Sequence, residues 1–128
     1  MTLSSQQLAT AEPRRSHFIK ICESFPEVRI EPINEHLKIS IRKKTLAYYQ
    51  FDHHGDGMIS LACKSNHSDQ RRMIKTDPET FFVPDYVGAK GWLGIRLDLA
   101  EVDWDVVTES LRRAYQDLAP KKLAALVD

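Results

Sequence analysis

The chain has 128 residues, 42% of them hydrophobic, which predicts one folded domain with a buried core and excludes wholesale disorder. Its 18 Lys and Arg residues balance 18 Asp and Glu residues, which disfavours a protein that binds polyanions through bulk charge but leaves a local basic patch open. The amino terminus has no charged segment followed by an apolar run, and no apolar stretch approaches the ~20 residues of a membrane span. We therefore expect a cytoplasmic, non-membrane protein in which Cys22 and Cys63 are reduced.

The first predicted helix begins at Pro13. Residues 1–12 are polar and carry no clear period, so we expect a flexible lead-in followed by one domain at 13–128. Proline is favoured in the first turn of a helix, and Pro26 is expected to end this one. Between the two prolines, apolar residues recur at three- and four-residue steps and predict one buried stripe: Phe18, Ile21, Cys22 and Phe25.

A series of short strands is predicted next. Apolar and polar residues alternate at 37–41 and at 59–63, and the intervening residues 46–51 are rich in aromatic side chains. The pair Lys43-Lys44 and the glycine-containing segment 52–57 predict the turns between these strands. The pattern indicates an antiparallel meander.

The second half of the chain predicts helices around one more strand. Asn66 or Ser68 is a candidate cap for a short basic helix, and Pro120 separates a strong helical stripe at 104–118 from a last short helix. Residues 91–98 alternate, with Leu93, Ile95 and Leu97 on one face and Trp92, Gly94, Arg96 and Asp98 on the other. Because the strands lie between helices at both ends, we predict an α+β fold in which an antiparallel sheet packs against N- and C-terminal helices.

One face of this sheet is a candidate binding surface. If the apolar strand residues face the helices, the opposite face carries an indole and several cations: Lys38, Arg42, Lys64, Trp92 and Arg96. Such cations neutralise phosphates, and an exposed tryptophan stacks on a base. The alternative is a partly covered tryptophan among ordinary solvated charges.

Two more basic clusters are candidate DNA contacts. Arg71, Arg72 and Lys75 lie on the short helix, and Arg42, Lys43 and Lys44 form a turn that could act as a wing tip. Both clusters also fit solvated surface.

Metal binding and nucleophilic catalysis have little support in the sequence. His53 and His54 are adjacent and point apart in extended backbone, and the turn 52–57 is explained by its glycines, so we predict no metal and no cofactor. Cys22 and Cys63 lie on apolar stripes and are predicted to be inert core thiols. Whether the chain is an enzyme stays open, and we predict no catalytic residue.

Several segments in this order resemble the MmcQ/YjbR family of small bacterial proteins. They are HHGDG at 53–57, DPETFFVP at 77–84, YVG at 86–88, KGWLGIRLD at 90–98 and APKKLA at 119–124. The resemblance extends over roughly residues 18–125 and implies a frataxin-like (CyaY-like) α+β sheet. It also implies the role usually assigned to that family, DNA binding through a double-wing motif, and brings no established catalytic residues. An iron role, suggested by the frataxin-like shape, is disfavoured because the first helix carries Arg14, Arg15 and Lys20 where iron requires carboxylates.

Three hypotheses follow for the function. The first is a monomeric DNA-binding module that uses basic and aromatic residues on the hairpins and the free sheet face. The second is a pocket for a small anionic metabolite, lined by Tyr86, Lys90, Trp92 and Arg96. The third is a protein-interaction domain, for which Phe81 and Phe82 would have to be exposed in an apolar loop at 81–86.

Overall fold

A six-stranded antiparallel sheet forms the centre of the computed structural model, which describes residues 2–127. The strands are β1 (Arg29–Ile33), β2 (His36–Ile41), β3 (Lys44–Phe51), β4 (Ile59–Cys63), β5 (Phe81–Phe82) and β6 (Leu93–Arg96), and they lie in the order β1-β2-β3-β4-β6-β5. The helices are α1 (Ser5–Glu23), α2 (His67–Thr76), α3 (Trp104–Leu118) and α4 (Lys121–Ala124). The predicted α+β class, with helices at both ends of the chain, is confirmed.

Helix α1 begins at Ser5, well before the predicted start at Pro13. Ser4 caps it: the Ser4 hydroxyl accepts a hydrogen bond from the Gln7 backbone, and the Gln7 side chain accepts one from the Ser4 N–H. Pro13 therefore lies inside the helix. The predicted helix start is wrong, and residues 5–12, which we expected to belong to a flexible lead-in, are helical.

The core lies between one face of the sheet and helices α1 and α3. Because strand side chains alternate, Ile39, Leu61 and Ile95 point to the same face, where Phe18 of α1 and Leu111 of α3 are also fully buried. The predicted apolar phases of β2, β4 and β6 are thus confirmed.

Strand β3 joins two hairpins whose turns lie at its opposite ends. The β2–β3 turn contains Arg42 and Lys43, both in the left-handed region with φ of 51° and 72°. Lys44 is already in β3, so the predicted Lys43-Lys44 turn is shifted by one residue. The β3–β4 turn spans 52–58 and includes a 3-10 turn, His53–Gly55.

The sheet face opposite α1 and α3, here called the helix-free face, is partly covered by the chain itself. Phe82 lies over Gly94, where a Cβ atom would come within 2.6 Å of the Phe82 ring, so a larger residue would displace it. The segment 83–91 follows Phe82 and is tied to α2, because the Gln70 side chain donates to the carbonyls of Gly88 and Trp92 over 3.0 and 2.6 Å. Within residues 2–127, no helix is both long and apolar enough to cross a membrane.

Candidate functional site

The sequence-predicted site residues are distributed over three regions of the molecule. Lys38 and Arg96 lie on the helix-free face, and the segment 83–91 that follows Phe82 on this face carries Tyr86 and Lys90 and leads to Trp92. The β2–β3 turn holds Arg42 and Lys43, and Lys44 is the first residue of β3. The third region, around helix α2, holds Lys64, Arg71 and Arg72.

Trp92 is buried, which corrects the expectation of an exposed indole. The residue is 8% exposed, and its ring lies 6.0 Å from that of Tyr48 on the helix-free face. Its carbonyl accepts from Gln70 and its N–H donates to Val87. The sequence pattern placed Trp92 on the correct face but gave no sign that the residue would be buried, with its ring beside that of Tyr48.

Arg96 is paired with a carboxylate. Its Nε and Nη2 atoms donate to the two oxygens of Asp98 over 2.9 and 3.1 Å. Asp98 also accepts from the Gln7 side chain and from the backbone of Ile59. Asp98 therefore fastens the end of the sheet to α1, and only the Nη1 atom of Arg96 lies outside the bidentate pair.

The β2–β3 turn and the first residue of β3 combine one paired cation with two unpaired ones. Arg42 donates to both oxygens of Glu27 over 2.7 and 3.1 Å, which raises the pKa of Arg42 and lowers that of Glu27. Both side chains are at least half exposed, so the pair contributes little to stability. Lys43 and Lys44 form no ion pair within residues 2–127 and are exposed.

Lys64 and Arg72 lie in a cleft of about 600 Å³ between α2 and α3. Lys64 bonds to Asp117 of α3, so the expectation that it projects from the helix-free face is wrong. Arg72 donates to Asp69 over 3.1 Å, and Asp69 lies 3.8 Å from Arg113 across the cleft. Each of the three cations that line this α2–α3 cleft, Lys64, Arg72 and Arg113, is therefore paired with a carboxylate.

Tyr86 is the most prominent aromatic side chain on the molecular surface, with 79% of its area exposed. The Val87 N–H donates to the Asp85 carbonyl over 2.7 Å, which closes a γ-turn centred on Tyr86. The φ of 64° and ψ of −65° belong to the rare and strained form of that turn. The chain thus holds an exposed aromatic ring in a backbone conformation that is unfavourable for a residue with a side chain.

Imidazole rings extend from Tyr86 towards the end of the sheet. The His54 ring lies 6.1 Å from Tyr86 and 4.0 Å from His53, which in turn lies 5.4 Å from His36. Burial lowers the pKa of His53, and the neighbouring His54 and His36 lower it further, so that ring is neutral at pH 7. Within the described residues, no group of three or more His, Cys, Asp or Glu side chains is arranged to hold a metal ion.

Sequence reasoning missed two polar residues of the helix-free face, Gln50 and Ser60. Ser60 is 1% exposed and its hydroxyl finds no partner within residues 2–127, although Gln50 and Arg96 are its cross-strand neighbours. The Gln50 amide lies 3.3 Å from the His53 ring. The alternation of β3 and β4 could have placed Gln50 and Ser60 on the helix-free face, but nothing in the sequence indicates that the hydroxyl is buried.

Comparisons with known proteins identify the fold. No family model matches the chain, and no curated protein matches it. The chain is similar to the crystal structure of Deinococcus radiodurans protein DR2400, which has a DUF419 domain: the TM-score is 0.67 at 18% sequence identity, over 81% of this chain and 77% of that chain. At this identity the likeness shows the α+β fold alone.

Proposed function

We propose that this chain is a nucleic-acid-binding module of the MmcQ/YjbR kind, a cytoplasmic bacterial monomer that contacts DNA on the side from which Tyr86 projects. The DUF419-domain neighbour supports the family assignment through the fold. The binding role rests on one observation: Tyr86 is 79% exposed on a strained γ-turn. Strain of this kind costs about 1–3 kcal/mol and concentrates at sites with a function.

An exposed tyrosine ring is a platform for an unpaired base. Stacking is tolerant of sequence, because every base presents a π-face, and it needs no deep pocket. Lys90 belongs to the same segment as Tyr86, and Lys38 lies on the same sheet face, so both are available to phosphates. Arg96 adds the one nitrogen that Asp98 leaves free.

The remaining predicted contacts have unequal support. Lys43, Lys44 and Arg71 are exposed, form no ion pair within the described residues, and are proposed as outlying phosphate contacts. Arg42, Lys64 and Arg72 would first have to leave Glu27, Asp117 and Asp69, which makes them weaker candidates. Trp92 is only 8% exposed and is therefore not proposed to stack on a base.

The test is binding of a labelled single-stranded oligonucleotide at low salt, followed by fluorescence anisotropy. Tyr86→Ala should weaken binding about 5- to 150-fold, which corresponds to the ~1–3 kcal/mol that stacking on one base contributes. Tyr86→Phe keeps the ring and should bind like the wild type. Lys38→Gln and Lys90→Gln should each reduce the dependence of affinity on salt.

Leu126→Ala is the matched control, because Leu126 is another exposed large apolar residue, 70% exposed, and lies outside this surface. Equal affinities for wild type and Tyr86→Ala, or no complex at any salt concentration, would refute the proposal. The competing metabolite pocket is weakened because Trp92 is buried and Arg96 is paired. The protein-interaction loop is weakened because Phe81 is only 6% exposed.

A further inference from the structure

The end of β3 is held to β2 by a side chain. The Phe51 N–H donates to the Nδ1 atom of His36 over 3.1 Å. Phe51 is the last residue of β3, and His36 is the first residue of β2. The backbone register between these strands ends at the pair Leu37 and Tyr49. The imidazole therefore continues the hydrogen bonding of the sheet beyond the backbone pairs.

Two imidazoles at this end of the sheet have to be neutral to make their hydrogen bonds. A backbone N–H can only donate, so the Nδ1 atom of His36 accepts and carries no proton. The side-chain amide nitrogen of Gln50, which is also a donor, lies 3.3 Å from the Nδ1 atom of His53. A proton on either Nδ1 atom would place two donors face to face, and the hydrogen bond would be lost.

The surroundings of His53 also disfavour a positive charge. Its ring centre lies 4.0 Å from that of His54 and 5.4 Å from that of His36. Burial lowers the pKa of His53 most, the two other imidazoles lower it further, and Asp56 and Asp85 raise it without reversing the shift. A histidine of this kind stabilises the folded state above its unfolded pKa of about 6.5, and this contribution is lost as the pH falls through the folded value.

The carboxylates around the two rings offer little compensation for a proton. Asp52 and Asp56 accept hydrogen bonds from backbone N–H groups of their own turn, over 2.8 and 2.9 Å. Glu35 and Asp85 are exposed. No ion pair joins any of these carboxylates to either ring within residues 2–127. Protonation of the rings would therefore weaken this end of the sheet.

The β3–β4 turn that follows Phe51 depends on the contacts that hold it. Asp52 and His54 lie in the left-handed region, with φ of 47° and 53°, which is uncommon for residues with a side chain. The His54 ring lies 6.1 Å from that of Tyr86. Loss of the hydrogen bond from Phe51 would therefore loosen the turn and change the surroundings of Tyr86.

We propose that His36 and His53 form an acid-sensitive switch, here called the histidine latch, which holds the β3–β4 turn in place. While both Nδ1 atoms accept hydrogen bonds, the end of β3 stays against β2. In acid each Nδ1 atom takes up a proton from solvent, the bond from Phe51 is lost, and the turn is released. The latch acts on the fold of the turn, so it does not require that the chain binds nucleic acid.

The experiment measures amide hydrogen exchange of the folded chain by NMR at about pH 7.5 and about pH 5, across the range in which histidines change charge. Protection factors correct for the intrinsic pH dependence of exchange. The protection factor of the Phe51 amide should fall about tenfold in acid, as expected for the loss of one hydrogen bond. The amide of Ile95, which pairs with Leu61 in the middle of the sheet, should stay protected at both pH values.

Two variants test the two histidines separately. In His36→Gln the side chain does not titrate, so the protection of Phe51 should be the same at both pH values, whether or not the new amide reaches it. The side-chain amide signals of Gln50 should shift with pH in the wild type and should not shift in His53→Gln, because the titrating acceptor has been removed.

His17→Gln is the matched control, because His17 is an exposed histidine of α1 that stacks on Trp104 of α3 at 4.0 Å. It should leave both pH effects unchanged. Any of three results would overturn the histidine latch: constant protection of Phe51 in the wild type, the same acid loss in His36→Gln, or an equal loss at Ile95. Gln50 signals that respond equally to pH in the wild type and in His53→Gln would overturn it as well.

Discussion

Asp98 shows how a single side chain can join distant parts of the chain. Burial raises its pKa, but hydrogen bonds from Arg96, from the Gln7 side chain and from the backbone of Ile59 outweigh burial, so the pKa lies below its ordinary value. These bonds connect the end of β6 to α1 and to β4. The carboxylate form is therefore the one that stabilises the fold.

Replacing Asp98 with Asn should lower the free energy of unfolding at neutral pH. It should also make that free energy less dependent on pH in the acid range. A carboxylate whose pKa is lowered by folding contributes stability above its unfolded pKa of about 3.9, and this contribution is lost as the pH falls through the folded value. We expect a loss of about 1–3 kcal/mol at pH 7, from weakened charge-assisted hydrogen bonds, and a smaller difference at pH 3. Urea unfolding at both pH values measures this, and a constant difference between wild type and variant would contradict it.

At the scale of elements, helices and strands with a regular apolar period could be predicted from the sequence. Segments without such a period could not. β2, β4, β6 and α3 carry clear two- or 3.6-residue patterns and form where expected. β1 contains Pro32 on a sheet edge, and β5 has only two residues, so neither shows a readable pattern. The early start of α1 did have a signal, the Ser4-x-x-Gln7 capping box, which the proline at position 13 obscured.

The capping box makes the beginning of α1 testable. Ser4→Ala removes the acceptor for the Gln7 backbone N–H and should lower the free energy of unfolding by about 1 kcal/mol. Ser5→Ala, one residue later and also exposed, is the control and should have little effect. Equal stability of the two variants in urea unfolding would mean that this first turn contributes nothing to the folded state.

The candidate site was predictable in its residue types and not in its contacts. Alternation placed Lys38, Trp92 and Arg96 on one face correctly. The hydrogen bond from Gln70 to Trp92 and the ion pair of Lys64 involve α2 and α3, which approach from elsewhere in the chain and leave no local pattern. The γ-turn at Tyr86 has no sequence signature, because tyrosine does not favour positive φ.

At the scale of the whole molecule, charge is locally balanced as well as balanced in total. The net formal charge is zero, and several of the cations predicted to bind phosphate are already paired with carboxylates. Any affinity for nucleic acid should therefore come from a few exposed groups and one aromatic ring, and should be modest at physiological salt.

The two cysteines report on the integrity of the whole fold. Burial raises the pKa of Cys63 to about 12. Burial also raises the pKa of Cys22, and the neighbouring Cys63 and Glu23 raise it further. Both thiols are free and buried, so neither should react with a thiol reagent at pH 8 in the native protein, and both should react together on unfolding in urea. Fast labelling of either thiol without denaturant would show that the core opens locally.

The length of β3 sets a minimum size for anything that touches both of its turns. Eight residues of strand span roughly 25 Å, since each residue advances the chain by ~3.3 Å. A metabolite cannot bridge Lys43 and His54 at once, whereas a polymer or a folded partner can. If one bound molecule protects both Lys43 and His54 from chemical modification, that molecule is therefore a macromolecule.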